Sequence, residues 1–241
     1  VAASNELFGS MNSSAQSTTD STSGRADTTR QQILQAAAHQ FARRAYHDVG
    51  LDDILAAAQL TKGAMYFHFR SKHALAVAII EQHTAAGRVA VEELLARQLS
   101  GLETLVDFVY LIAVRDVSQD MARAALHLLD SVGRAEGLHA KLLDGWIEAL
   151  AAVVRRAIVE GDMAEGCDPQ DVGRLIVSMY LGLRQASDLD APERFLRDLE
   201  KSWLLVLSGM VQPDRIDYFT QFVTRRTALA IRSATAQVAP G

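Results

Sequence analysis

The 241-residue chain is 49% apolar and 22% charged, enough to bury a sizeable core, and its 6% aromatic share makes that core mostly aliphatic. A single cysteine, Cys167, excludes an internal disulfide and a thiolate metal site and fits a reducing compartment. The net charge of −5 argues at first against a nucleic-acid partner.

Residues 1–26 are dominated by Ser, Thr, Asn, Gln, Gly and Ala, which cannot repay the entropy of ordering, so a flexible tail is expected there. Asp27, Thr28 and Thr29 offer capping oxygens. Ile33, Leu34, Ala37, Ala38 and Phe41 then recur at helical spacing, predicting a helix that ends near Arg44. A second short helix follows Gly50, with Ile54, Leu55 and Ala58 on one face, and Gln59-Leu60 makes a turn. Thr61 caps a third helix to about His68, and Ser71 caps a long one reaching about Leu99. Further helices are expected near 102–117, 121–132, 140–160, 169–187, 192–210 and 213–232, with a tail over 233–241. No convincing strand appears, and the longest uncharged stretch in the part expected to fold, Ser202 to Pro213, is too short to cross a bilayer. With no secretory signal in view, the expectation is an all-α, soluble, cytoplasmic protein without a membrane partner.

The average charge conceals a split. Residues 25–72 carry seven basic side chains against four acidic ones, a net of +3, whereas residues 73–241 carry −6. A basic module on an acidic body points to an anionic partner, with a merely solvated surface as the bland reading.

Three short helices within 27–69, the second and third joined by a tight turn, form the smallest unit that buries its own apolar faces and presents one helix outward. In the third, Met65 and Phe69 are spaced to pack inward, leaving Thr61, Lys62, Ala64, Tyr66 and His68 nearer the surface. Gly63 and Ala64 permit close approach to bases, Lys62 supplies a cation, and Tyr66 and His68 can contact phosphate or base edges. A packed aromatic cluster at a domain junction explains the same residues equally well. Arg25 and Arg30 stand where they can assist a DNA contact.

The stretch from Thr29 to Ile80 resembles the DNA-binding domain of the tetracycline-repressor (TetR) family of bacterial transcriptional regulators. The residues that carry the likeness are Ile33-Leu34-x-Ala-Ala, Phe41 to Tyr46, Ile54, Ala58, and Leu60-Thr-Lys-Gly-Ala-Met-Tyr-Phe-His-Phe69, continued by Lys72 and Leu75. The resemblance gives Thr61, Lys62, Gly63, Tyr66 and His68 recognition-helix roles and Lys72 a phosphate contact. Gly50 departs from it, standing where members often place a capping threonine. The implied organisation is a helix-turn-helix domain over 27–72 and a helical ligand-binding and dimerisation domain over 73–232.

More diffusely, residues 29–230 are similar to the γ-butyrolactone autoregulator receptors of actinobacteria, TetR-type repressors sensing lactone, butenolide or furan signals that govern antibiotic production. That likeness implies a homodimeric repressor on an inverted-repeat operator, released by such a signal. It also turns Trp146, which by itself reads as core, into a pocket wall. Tyr180 and Tyr110 are candidate hydroxyl donors to the ligand, and His83 a candidate link from pocket to head. Helices 169–187 and 192–210 are apolar enough for a four-helix dimer interface, or equally for an internal core. The rival readings are a TetR-type sensor of drugs or acyl ligands, a pseudo-receptor responding to antibiotics, and a module acting through protein contacts alone. No His-Glu-x-x-His, Gly-x-Ser-x-Gly, phosphate-loop or dinucleotide signature is present, so neither an enzyme nor a cofactor is expected.

Overall fold

A computed structural model describes residues 26–238. The chain is already helical at residue 26, and α1 covers 26–41. Asp27, Thr28 and Thr29 therefore lie inside its first turns instead of capping it, and the helix stops three residues before Arg44. Ile33, Leu34, Ala37 and Phe41 are fully buried, as their spacing requires. A 3-10 turn, Tyr46–Asp48, leads into α2, Leu51–Ala58. Gly50 brings no side-chain oxygen to that start, but its N–H donates to the Asp53 carboxylate at 3.1 Å. Gln59 adopts the left-handed conformation, φ 55°, closing α2 and turning the chain into α3, Lys62–His68. Thr61 Oγ1 accepts the Ala64 N–H, and Ser71 Oγ accepts the Ala74 N–H at the start of α4, Lys72–Leu95.

The long helix ends at Leu95, not Leu99, because Gln98 at φ 55° turns the chain and Ser100 with Glu103 forms a capping box for α5, Gly101–Ser118. Then follow α6 (Asp120–Ser131), α7 (Leu138–Val159), α8 (Pro169–Ala186), α9 (Pro192–Met210), a 3-10 turn at Pro213–Arg215, and α10 (Ile216–Val238). The last helix runs past the expected stop at 232, while residues 239–241 and residues 1–25 of the expected N-terminal tail, with Arg25, lie outside the described residues. Extended structure among the described residues is limited to one isolated bridge, Met163 with Val211.

Two apolar cores form. The larger is built from α5 and α7–α10 around Trp203, Phe195 and Phe219. The smaller joins α1–α3 and the first turns of α4 to Ala124, Ala125, Leu128 and Leu129 of α6. The head's core therefore does not stop at residue 72: α6, fifty residues further on, completes it. Helices α5, α7 and α8 cross closely because glycines stand at the contacts. A Cβ on Gly101 would lie 2.5 Å from the Ala157 backbone nitrogen, and one on Gly173 would lie 2.8 Å from the Ile147 carbonyl.

Candidate DNA-recognition face and ligand cavity

The outward face of α3 follows from its period: Met65 and Phe69 are buried, while Thr61, Lys62, Gly63 and Tyr66 are exposed and Ala64 and His68 half-buried. Lys62 pairs with the Asp52 carboxylate at 2.8 Å, and that hydrogen bond holds its ammonium more firmly protonated. Both partners are open to water, so a phosphate can compete for the lysine. Phe67 was not among the expected surface residues, yet it is 79% exposed, edge-on to His68. A phenylalanine between Tyr66 and His68 reads as core, but Met65 and Phe69 already fill the inward positions of this seven-residue helix. Arg70, also exposed, is a second surface cation that residue spacing did not single out.

Two residues expected at the DNA also have partners within the head. Lys72 turns inward: its Nζ donates to the carbonyls of Tyr46 and Val49 at 2.8 and 2.9 Å and lies 4.4 Å from the Tyr46 ring centroid. In this arrangement the ammonium braces the turn before α2 with two of its three N–H donors, leaving one for the phosphate contact expected of it. Arg30, half-buried, lies over the Phe69 ring at 5.2 Å, beneath the end of α3.

The body holds a cavity of about 500 Å³ walled by α4, α5, α6, α7 and α8. His83, Trp146 and Tyr180 line it together with aliphatic side chains such as Leu105, Val109, Leu126 and Ile176. Trp146 is half-buried and packs against both cores, a position that joins head, cavity and body. Tyr110 is not part of the wall. It faces α10, where its hydroxyl makes a 2.5 Å hydrogen bond with Thr227, and burial pushes its phenol well up. The structure therefore does not bring it together with His83, Trp146 and Tyr180.

Behind the cavity lies a buried ion pair. Arg184 Nε donates to Asp116 Oδ2 at 2.6 Å, and the Tyr180 hydroxyl donates to the same oxygen at 3.1 Å. The guanidinium also reaches the Arg123 carbonyl on α6, and Arg123 in turn clamps the Leu189 carbonyl and Asp190 between α8 and α9. His83 has no hydrogen-bond partner among the described residues. Desolvation, then the positive charge of Arg115, hold its imidazole below the ordinary 6.5, with Asp116 opposing and Arg184 adding to the shift. The inner wall is thus apolar and neutral, with the imidazole and the Trp146 indole as its available polar groups. Among the described residues no group of three His, Cys, Asp or Glu side chains is placed to hold a metal, and no helix is long and apolar enough to cross a membrane.

Cavity and head share two helices. In α4, Ile79 and Ile80 belong to the head core and His83 and Thr84 to the cavity wall, one turn apart. In α6, Leu126 faces the cavity, Asp120 binds His39 of α1 and Arg43 just beyond its end at 2.8 Å each, and His127 Nδ1 lies 3.2 Å from the Phe41 carbonyl. Sequence spacing placed the link on His83 alone, and α6 enters only with the tertiary structure. Burial, then Arg184, lowers His127 below 6.5 as well.

Both imidazoles resist protons in the folded chain that they would accept once unfolded. The unfolded state therefore binds more protons below about pH 6.5, so stability falls as the pH drops through and below that value and recovers above it. Urea midpoints measured from about pH 7.5 to 5.5 should decrease, with a shallower slope in His83→Gln and His127→Gln; a flat profile in the parent protein contradicts the assignment.

The tetR family of bacterial regulatory proteins matches over residues 33–79, from the middle of α1 into α4. A crystal structure of a γ-butyrolactone receptor (ArpA-like protein) is 30% identical, superposes with a TM-score of 0.73, and covers 85% of this chain and 98% of that one. The chain belongs to the TetR family. The TetR protein CprB of Streptomyces coelicolor, solved in complex with its biological operator sequence, is 28% identical with a TM-score of 0.73 over 84% of this chain and 98% of its own. The A-factor receptor protein of Streptomyces griseus is 30% identical over 190 residues, spanning 78% of this chain and 66% of that protein. Within TetR proteins, then, this chain resembles γ-butyrolactone receptors in both sequence and fold.

Proposed function

We propose that this TetR-family protein is a homodimeric DNA-binding repressor released by a small lactone, butenolide or furan signal and controlling secondary-metabolite genes. The observation that carries the reading is one chain holding both an exposed α3 face, with Lys62, Tyr66 and Phe67, and an apolar cavity joined to it through α4, α6 and Trp146. Each head places α3 in a major groove, with Thr61, Gly63, Ala64 and His68 near the bases and backbone and Arg70 adding a cation. The unpartnered faces of α8 and α9, with Leu175 and Leu205 44% and 78% exposed, supply the two-fold interface. Two-fold symmetry sets the half-sites about one helical turn, roughly 34 Å, apart.

A ring held against the Trp146 indole and hydrogen-bonded to the His83 imidazole would shift α4 and α6 together, moving the heads off that spacing. Converting a 1:99 population to 99:1 takes about 5.5 kcal/mol of differential binding, which two ligands per dimer share. Glu92, exposed at the mouth, is the acidic side chain of the cavity wall, so nothing deep in the cavity favours a cationic drug, which supports this reading over a broad drug sensor.

A mobility shift on the promoter of the protein's own gene tests it, titrated with organic extract of the producing culture. Release of the parent protein but not of Trp146→Ala is the expected result; tight binding by both without release discards the ligand class. Lys62→Ala should weaken the DNA complex and flatten the slope of log affinity against log salt by about one. An unchanged complex would remove α3 from the DNA.

A further inference from the structure

A glycine inside a helix lowers stability relative to alanine, since it is freer in the unfolded chain and packs no side chain. Gly101 and Gly173 have a visible reason for standing where they do, the close helix crossings described above. Gly87, in the middle of α4, and Gly145, in α7, have none: a Cβ on either would meet nothing within 4 Å. Yet both line the cavity.

The way out of that cavity can be read from its wall. The exposed lining residues come from α4 and α7 alone, namely Arg88, Glu92 and Leu95 on one side and Lys141, Gly145 and Ala149 on the other. Every lining residue on α5, α6 and α8 is buried or half-buried. Helices α4 and α7 scarcely touch each other, each packing instead on α5 and its other neighbours. The opening is therefore the gap between α4 and α7, and the two glycines stand on its edges.

We propose that ligands enter between α4 and α7, and that Gly87 and Gly145 set the width of this entrance and so limit the cross-section of molecule the site admits. The proposal rests on the cavity being the ligand site. From His83 to Leu95 the wall follows α4 for about 18 Å, so the space of about 500 Å³ is drawn out along that helix. The matching ligand is a flat ring or a single alkyl chain entering end-on. Arg88 and Lys141 against Glu92 give the rim one net positive charge, favouring a leading carbonyl, hydroxyl or carboxylate over an ammonium group.

The test is stopped-flow uptake of the fluorophore 1-anilinonaphthalene-8-sulfonate by the full chain, with Trp146→Ala locating the probe in the cavity. Gly87→Leu and Gly145→Leu should slow association and dissociation alike, by about tenfold, because a narrowed entrance obstructs both directions. Gly87→Ala should raise Tm, since its methyl meets empty space. Unchanged rates in both leucine variants, or faster dissociation alone, overturn the entrance while leaving the cavity as the site; so does a lowered Tm in Gly87→Ala, which would give that glycine a packing role. No uptake by the parent protein, or uptake indifferent to Trp146→Ala, overturns the ligand-site reading and the entrance with it. Circular dichroism on the leucine variants separates a blocked entrance from a misfolded chain.

Discussion

Arg184→Ala is expected to destabilise the fold by about 3–5 kcal/mol, the cost of leaving a buried carboxylate without its counter-ion. Asp116 is fully buried and Arg184 8% exposed, so water replaces neither partner. The Asp116 Oδ1 atom already lacks a hydrogen bond among the described residues, and losing the guanidinium would strip Oδ2 of its shorter contact. Removing both charges should behave differently. Asp116→Leu with Arg184→Met takes away the desolvation cost along with the attraction and, although the Tyr180 hydroxyl and the Arg123 carbonyl lose a partner, is expected to lose clearly less than either single variant. Denaturant unfolding of the two singles and the double gives the coupling directly. A single-variant loss below about 1 kcal/mol would mean that water reaches the pair. Because Tyr180 hydrogen-bonds the same carboxylate and Arg184 holds an α6 carbonyl, the double variant should also uncouple cavity from head, retaining DNA binding but releasing poorly.

Trp203→Ala should cost about 3–5 kcal/mol, as expected when the largest fully buried side chain of the body core is cut to a methyl. Trp203→Phe should cost far less, under about 1.5 kcal/mol, because the indole Nε1 is buried with no hydrogen-bond partner among the described residues. Phenylalanine keeps most of the ring contact and removes a polar group that was never satisfied. Equal losses in the two variants would show that the indole N–H is paired after all. Thermal unfolding followed by near-ultraviolet circular dichroism reads both, since Trp146 still reports on the cavity.

The head was legible where the controlling contact is local. Thr61 and Ser71 cap the helices that follow them, and Met65 and Phe69 turn inward at the spacing of one helical turn. Trp146 on the cavity wall was legible only through family likeness, since an isolated tryptophan reads as core. What escaped depends on partners far along the chain. The Tyr110 hydroxyl is taken by Thr227, 117 residues away, and the Lys72 ammonium by two carbonyls 23 and 26 residues earlier. No periodicity carries such information. The end of α4 escaped for another reason: beyond Ile80 only Leu94 is buried, because that half of the helix faces a cavity, and a cavity leaves a weak apolar stripe.

The dual allegiance of α6 bears on how such regulators can be recombined. Ala124, Ala125, Leu128 and Leu129 are at most 4% exposed because the head sits on them. A chimera cut at residue 72, with a foreign head grafted onto this body, would meet a docking face shaped for Phe41 and ion-paired to Arg43 through Asp120. Exchanging operator specificity therefore calls for transplanting either the α3 surface alone or the head together with the matching side of α6. A boundary drawn from chain order severs the one core that both halves have to share.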